Sequence, residues 1–400
     1  MTNVTSSTDG NRSPYAKLSN PFPDGFNTAS NGAGGLLTNL GQSLNGIFRG
    51  DRTPYTAQWN FDLQYELPSG MLLDTAYAGN AGIKQLAQTQ LNQLPDRDLA
   101  LGDQLTQVVG NPFFGVIPAT SSIGKATTTY GQLLRPFPQF TGVQQTWGSL
   151  AHSSYHSLQI KFRKRYTNGL QLLAAYTWSK LLDDYSSVAG FLGEVNPGYI
   201  DNNDRRTSKS LSAGDVAHRL VLNYEYELPF GAGKRFLNAK GFLNAVAGGW
   251  NLNGITTIQS GLPIQVTERN DTTNSFGGAQ LPDSTGKSSK TPGSPKDRID
   301  NYFDKTAFAD PPKYAFGNTA RLLPDNRGPY LIDFDLSVLK RFPIAEKKRL
   351  EFRAEFFNML NNVNFANPTG NATVFGRPQF GTLTAAENAR IVQLGLKLYF

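Results

Sequence analysis

Between Tyr55 and Leu67 every second residue is apolar: Tyr55, Ala57, Trp59, Phe61, Leu63, Tyr65 and Leu67 alternate with Thr56, Gln58, Asn60, Asp62, Gln64 and Glu66. A period of two gives a β-strand one apolar and one polar face, and it gives a helix neither. The same period returns after the turn "PSG" in "MLLDTAYAG", and again in "HSLQIKFRKRY" and "LQLLAAYTWSK" on either side of "TNG". Asn168-Gly169 between two such runs is the strongest short hairpin signal. "HRLVLNYEYEL", "WNLNGITTIQS", "LIDFDLSVLKRF", "KRLEFRAEFFN" and the closing "RIVQLGLKLYF" complete nine expected strands.

The links between these strands fall into two kinds. Short turns are expected near 68–70, 167–169 and 343–347, with a medium link at 229–248. Long stretches rich in Gly, Pro, Asn and Ser cover about 81–155, 181–217, 261–330 and 359–389. Long and short links alternate throughout, the arrangement of outer-membrane barrels with short periplasmic turns and long extracellular loops. The fold expected is therefore all-β, an antiparallel transmembrane β-barrel.

Charge placement agrees. Trp59, Phe61, Leu63, Leu158, Ile160, Phe162, Leu222, Tyr224, Phe334, Leu336, Phe352 and Leu396 are expected to face lipid. Arg163, Arg165, Glu225, Asp333, Asp335, Glu351, Arg353 and Glu355 occupy the alternate positions and are expected to line the lumen. A lipid-facing Lys or Arg costs roughly 2–4 kcal/mol at the bilayer midplane and about 0–1 near its edge. Only Lys164 and Lys340 intrude on the apolar faces, each two residues before a terminal aromatic at the expected periplasmic end, where snorkelling to headgroups is cheap.

A soluble β-sandwich would also alternate, with its apolar faces meeting in a core. Strands of about 10–12 residues, unequal loops and the lysine placement favour the membrane. Composition is compatible with it: 39% hydrophobic residues, 26 Phe, 16 Tyr and 40 Gly suit many strands and long polar loops. No run of about 18 apolar residues is present, which excludes a membrane-spanning helix but not a barrel. With no cysteine there is no disulfide, thiolate nucleophile or Cys-based zinc site. The net charge of +7 is dispersed rather than gathered into the basic face that nucleic-acid binding needs.

The chain ends on "QLGLKLYF", with Gln393, Gly395, Leu398 and terminal Phe400. This resembles the signal by which outer-membrane barrels present their last strand to the barrel-assembly machinery, through backbone pairing with alternate side chains supplying specificity. "NPFPDGF", "LNQLP" then "LALG", "GQLLRPFPQFTGV" and "SYHSLQIKFRKRYTNGLQLLAAYTWSK" extend the likeness, as do "HRLVLNYEYELPFG", "GWNLNGITTIQSGLP" and "RLEFRAEFFNMLNNVNFANP". Together they resemble the C-terminal barrel portion of TonB-dependent receptors of the Oar-like type. That resemblance implies a barrel of roughly 22 strands around a plug, importing a ligand with inner-membrane energy. It also implies a signal peptide, a carboxypeptidase-regulatory-like sandwich, a TonB-contacting segment and a plug upstream.

None of these is expected in this chain. "MTNVTSSTDGNRSPY" has no signal-peptide pattern, and about nine or ten strands would be only part of such a barrel. Single-chain bacterial barrels have even strand numbers, so nine points to a C-terminal fragment or a mis-started product. Residues 1–54 then read as an extracellular-loop-like segment, and 55–400 as the barrel part. Outer-membrane lipid and the assembly machinery are the expected partners; TonB would act only through the missing N-terminal part.

Catalytic and cofactor signatures are not found. His152 and His156 lie four apart at a strand mouth, about 13 Å along a strand, and read as rim residues rather than a metal pair. "DNNDRR" (201–206) lacks the glycine and closing glutamate of a calcium loop and reads as solvated. "GAGKR" (231–235) lacks P-loop spacing, and Ser337 and Lys340 fall on opposite strand faces. No enzyme and no cofactor are expected. Ligand uptake is the first functional reading; a surface structural or adhesive protein whose barrel anchors its loops is the second, and a soluble carbohydrate-binding sandwich the third.

Overall fold

A computed structural model of the chain describes residues 12–23, 25, 35–47, 50–186, 198–238, 241–278, 280–345 and 348–400. The opening stretch expected to lack a signal peptide lies mostly outside these residues, as do parts of "NPFPDGF", of the 1–54 segment and of the 343–347 turn.

The nine expected alternating runs form nine long strands: β1 (Tyr55–Leu67), β2 (Met71–Gln90), β3 (Gly142–Thr167), β4 (Leu170–Asp183), β5 (His218–Glu227), β6 (Trp250–Gln259), β7 (Leu331–Ala345), β8 (Lys348–Phe357) and β9 (Ile391–Tyr399). Each pairs antiparallel with its neighbours in sequence, so the sheet runs in order from β1 to β9. Among the described residues β1 and β9 do not pair with each other. The sheet is an open part of an outer-membrane barrel rather than a closed one.

Two hairpins are set by local chemistry. Ser69 and Gly70 both have positive φ (66° and 71°), as do Asn168 and Gly169 (53° and 80°). Two successive positive values are the turn whose twist matches right-handed strands, and Gly169 supplies one without steric cost.

Three elements differ from expectation. β2 and β3 are 20 and 26 residues long, so 81–90 and 142–155 are strand, and the loop between them is only 91–141. Above the apolar slab nothing forces one face to be greasy, so alternation fades while backbone pairing continues. Register shifts interrupt that upper part between Gly82 and Gln85 and between Ala87 and Thr89. The 229–248 link is not a plain turn either: Phe242–Ala247 is a short helix. Within the 1–54 segment, Ser43–Gly46 adds a short parallel strand beside Gly142–Gln145.

Most of the buried apolar core lies in the loops rather than the sheet. Ile264, Val266, Tyr302, Phe303, Phe308 and Leu323 from one loop bury against Phe380 and Leu383 from another. Phe380 is the hub, with ring centroids of Phe303, Phe308 and Phe375 at 5.3, 5.5 and 5.4 Å, all edge-on. Leu94, Leu99 and Leu105 pack under Tyr314 and Phe316, and Leu211 and Ala213 pack under Leu322. All four long connections thus interlock into one platform at one end of the sheet.

Candidate functional site

Register places the side chains. Cα partners directly opposite one another in an antiparallel pair share a face. Phe61 faces Tyr77, which faces Leu158; Ile160 faces Tyr176, which faces Leu220; Phe162 faces Ala174, which faces Leu222. The row continues through Thr256 to Phe334, and lower down from Tyr224 through Gly254 to Leu336, while Phe352 faces Leu396. With Trp59 and Leu63 on β1, all twelve apolar residues singled out in the sequence stand on one face of the sheet.

Glycines on that face are covered by rings. A Cβ at Gly79 would come within 2.3 Å of the Trp59 indole, and one at Gly254 within 2.3 Å of the Tyr224 ring. Each ring lies flat across the strand opposite it, so neither glycine leaves a hole in the apolar surface.

The charged residues occupy the other face. Arg163 faces Leu173, which leads through Asn223 and Ile255 to Asp335; Arg165 follows two residues along the same strand. Glu225 leads through Asn253 to Ser337 and Glu355, and Asp333 faces Thr257. Near the turn end Glu351, only 5% exposed, binds Arg341 Nε and Arg353 Nη2, each at 3.1 Å, and Arg353 reaches Glu355 at 3.4 Å. Gly395 stands opposite Arg353 and Lys397 opposite Glu351, which extends the charge ladder to the last strand. Gln393 faces Glu355, and Leu398 lies on the apolar face opposite Leu350. Phe400 is 93% exposed at the end of the chain.

At the loop end the charged face opens into a cavity of about 740 Å³. Asp333, Asp335, Asn358, Asn364, Asn367 and Glu387 line it. Asp335 accepts from the backbone N of Asn358 at 2.9 Å, whereas Asp333 Oδ1 is buried without a hydrogen-bond partner among the described residues. An acidic, amide-rich pocket at the junction of charged face and loops suits a polar ligand with donors.

Polar side chains that periodicity did not single out hold the platform over this mouth. Arg321 is fully buried; it bonds Asp183 and donates to Ser208 O at 2.8 Å and Ser186 Oγ at 3.1 Å. Arg327 pairs with Asp215. Arg135, in "GQLLRPFPQFTGV", donates to Asn92 O and Gln132 Oε1, both at 2.7 Å, and lies 4.6 Å over the Phe276 ring. Burial lowers its guanidinium to about 10. Asn92, in "LNQLP", in turn donates to Phe137 O at 2.9 Å and accepts from the Phe137 backbone N at 2.8 Å. Two of the distinctive blocks, "LNQLP" and "GQLLRPFPQFTGV", are thus clamps of the loop platform; their signal is an arginine or amide set among prolines and apolar residues.

"DNNDRR" is such a clamp at its first two residues, while 203–206 are exposed as expected of a solvated loop. Asp201 is 6% exposed and accepts from Gln93 Nε2 at 2.6 Å, and Asn202 donates to Gln93 Oε1 at 2.9 Å. His152 and His156 share a face of β3 but take different partners, Asp184 at 3.3 Å and the Tyr77 hydroxyl at 2.8 Å. No group of three or more potential metal ligands occurs among the described residues.

Of the two lysines on the apolar face, Lys340 is not free to snorkel as expected. Lys340 is 2% exposed; its Nζ donates to Val246 O at 2.6 Å and lies 4.8 Å from the Trp250 ring and 5.0 Å from Phe342. The short helix Phe242–Ala247 caps it with protein, so its charge meets a carbonyl and two rings instead of headgroups. Lys164 folds back onto Thr167 Oγ1 at 2.7 Å.

A meandering antiparallel sheet with one apolar face, one charged face and all long loops at one end defines an outer-membrane β-barrel protein. The family model described as outer membrane beta barrel domain matches residues 1–393, and the chain belongs to that family. Its place is the outer membrane. No match is found among curated proteins.

Solved structures resemble it at low identity. The outer membrane transporter YddB from Escherichia coli is 10% identical over 90% of this chain and 34% of its own, with a TM-score of 0.45. The FrpB iron transporter from Neisseria meningitidis is 11% identical over 89% and 33%, with a TM-score of 0.41. A mutant of the ferric enterobactin receptor PfeA from Pseudomonas aeruginosa is 10% identical over 88% and 32%, with a TM-score of 0.41. The chain spans about a third of the length of each of these structures.

Proposed function

We propose that the chain is the C-terminal barrel part of an Oar-like TonB-dependent receptor, and that in a longer parent it serves ligand uptake across the outer membrane. The observation that carries this reading is the sheet itself, whose nine strands run in sequence order with the charged ladder on one face and the apolar rows on the other. The apolar face meets lipid and the charged face lines a lumen. The acidic cavity under the loops receives ligand at the lumen mouth. Upstream strands complete the barrel against β1 and β9, and upstream segments supply the plug and the contact to TonB. Gln393, Gly395, Leu398 and Phe400 present β9 to the assembly machinery.

An antibody against 261–330, used on native outer membranes, tests the parentage. A band well above the 43.8 kDa of this chain is expected; a band at 43.8 kDa alone would contradict it.

An adhesive role is the second reading, and the loop platform favours it because it has its own aromatic core. Removal of 261–330 from the parent separates the two. Transport expects loss of ligand-dependent uptake with cell attachment intact; adhesion expects the reverse.

A further inference from the structure

The turn end of the sheet carries an exposed apolar helix that the barrel fold does not require. Phe242, Leu243 and Val246 on Phe242–Ala247 are 83%, 60% and 55% exposed, and the helix buries none of its residues. Phe236 and Leu237, just before it, are 48% and 57% exposed.

Among the described residues this helix is fastened to the sheet at its apolar face. Trp250 Nε1 and Lys340 Nζ, both on that face, donate to the carbonyl of Val246 at 2.9 and 2.6 Å. The helix therefore continues the apolar surface outward at its lower rim, where a short amphipathic segment lies in the plane of a membrane interface.

The surroundings are basic. Arg235 and Lys348 are exposed at the same end of the sheet and Lys164 stands half-buried on its apolar face there, whereas Arg165, Arg349 and Lys397 stand on the charged face. The acids there are largely occupied: Glu227 binds Lys234 at 2.7 Å, and Glu351 binds Arg341 and Arg353. Glu225 lies on the charged face, and Glu66 stands on β1 at the far edge of the sheet.

We infer that Phe242–Ala247 and this basic collar form a docking surface for anionic phospholipid at the periplasmic leaflet. Phe242, Leu243 and Val246 enter the acyl boundary, and Arg235, Lys348 and Lys164 meet the headgroup phosphates. Apolar insertion fixes depth, and the basic side chains add attraction to an anionic surface. The inference rests on the apolar face being the lipid face.

The chain has no cysteine, so a single introduced thiol is a unique label site. The full chain is labelled with an environment-sensitive dye at Leu243→Cys, or at Leu396→Cys on the apolar face of β9. It is reconstituted in phosphatidylethanolamine vesicles with or without phosphatidylglycerol, each containing brominated lipid. Both labels are expected to shift to the blue and lose most of their emission to bromine. The shift at 243 is expected to be larger with phosphatidylglycerol and to lose that preference in the Arg235→Gln, Lys348→Gln, Lys164→Gln variant. Quenching at 396 with a water-like signal at 243 would overturn the collar and leave the barrel reading intact. A water-like signal at both would overturn both. Equal quenching at 243 in the two lipids, unchanged in the charge variant, would overturn the anionic selectivity.

Discussion

Lys340 and Trp250 stand directly opposite each other on β7 and β6, and both donate to one acceptor, the carbonyl of Val246. The pair ties a helix from the preceding link to the apolar face of the sheet. Among the described residues Lys340 has no ion-pair carboxylate, so much of its hydrogen-bond gain is offset by desolvation. Trp250 contributes ring area as well as its N–H. Lys340→Met is therefore expected to change stability by less than about 1 kcal/mol, and Trp250→Ala to cost about 3 kcal/mol. Urea midpoints of the two variants in detergent micelles measure this. Equal losses would mean that the charge, not the ring, holds the helix.

Arg321 reaches Asp183 across 138 residues of sequence, and its side chain is 0% exposed. Arg321→Met leaves a buried carboxylate without its cation, at a cost of about 3–5 kcal/mol, most of it felt by the loops. Limited proteolysis is expected to cut within 260–330 much faster than in the wild type while the sheet resists. Unchanged cleavage would mean that the aromatic core around Phe380 suffices alone.

Glu268 makes the loop platform sensitive to pH. Burial, with Asp310 nearby, pushes its carboxyl from the ordinary 4.5 up to about 7. Oε1 is buried without a hydrogen-bond partner among the described residues. The folded loops thus bind this proton more tightly than the unfolded chain does. Stability from it is full below 4.5 and is lost as pH rises to about 7, beyond which the loss is complete. Loop cleavage by a protease active across the range is expected to be slower near about pH 5 than near about pH 8. Glu268→Gln should remove most of the difference; an unaltered difference would assign it to another group.

The strands were legible because the sheet's two faces impose a period of two that nothing else in the chain imitates. Trp59, Leu158, Phe334 and Leu396 could be assigned to one face from their own neighbours in sequence. Lys340 could not, since its acceptor at Val246 is 94 residues away and on a helix too short to show a period. Arg321, Arg135 and Asn92 were hidden for the same reason: a buried polar group is identified by its partners, and theirs are distant in the chain. The upper halves of β2 and β3 read as loop because residues such as Gln85, Thr89 and Gln90 pair their backbones without presenting an apolar face. The acidic cavity was half legible: Asp333 and Asp335 stood out on β7, but Asn358, Asn364 and Glu387 come from loop folding.

Phe400 is 93% exposed, so its removal takes little packing from the sheet. Its deletion from the parent is expected to lower outer-membrane assembly sharply while the micellar urea midpoint of the chain moves by less than about 0.5 kcal/mol equivalent. Phe400→Tyr should assemble normally. Full assembly of the deletion would show that Phe400 has no part in recognition.

The most direct measurement is a single-cysteine scan along β7, from 332 to 338, in the membrane-reconstituted chain. Each thiol is tested with a membrane-impermeant reagent and, after labelling, with lipid-borne quencher. Quenching by lipid at Ile332, Phe334, Leu336 and Val338, with aqueous reactivity at Asp333, Asp335 and Ser337, is the expected result. Aqueous reactivity at all seven positions, or the opposite phase, would contradict a sheet that turns its apolar face to lipid and its charged face to a lumen.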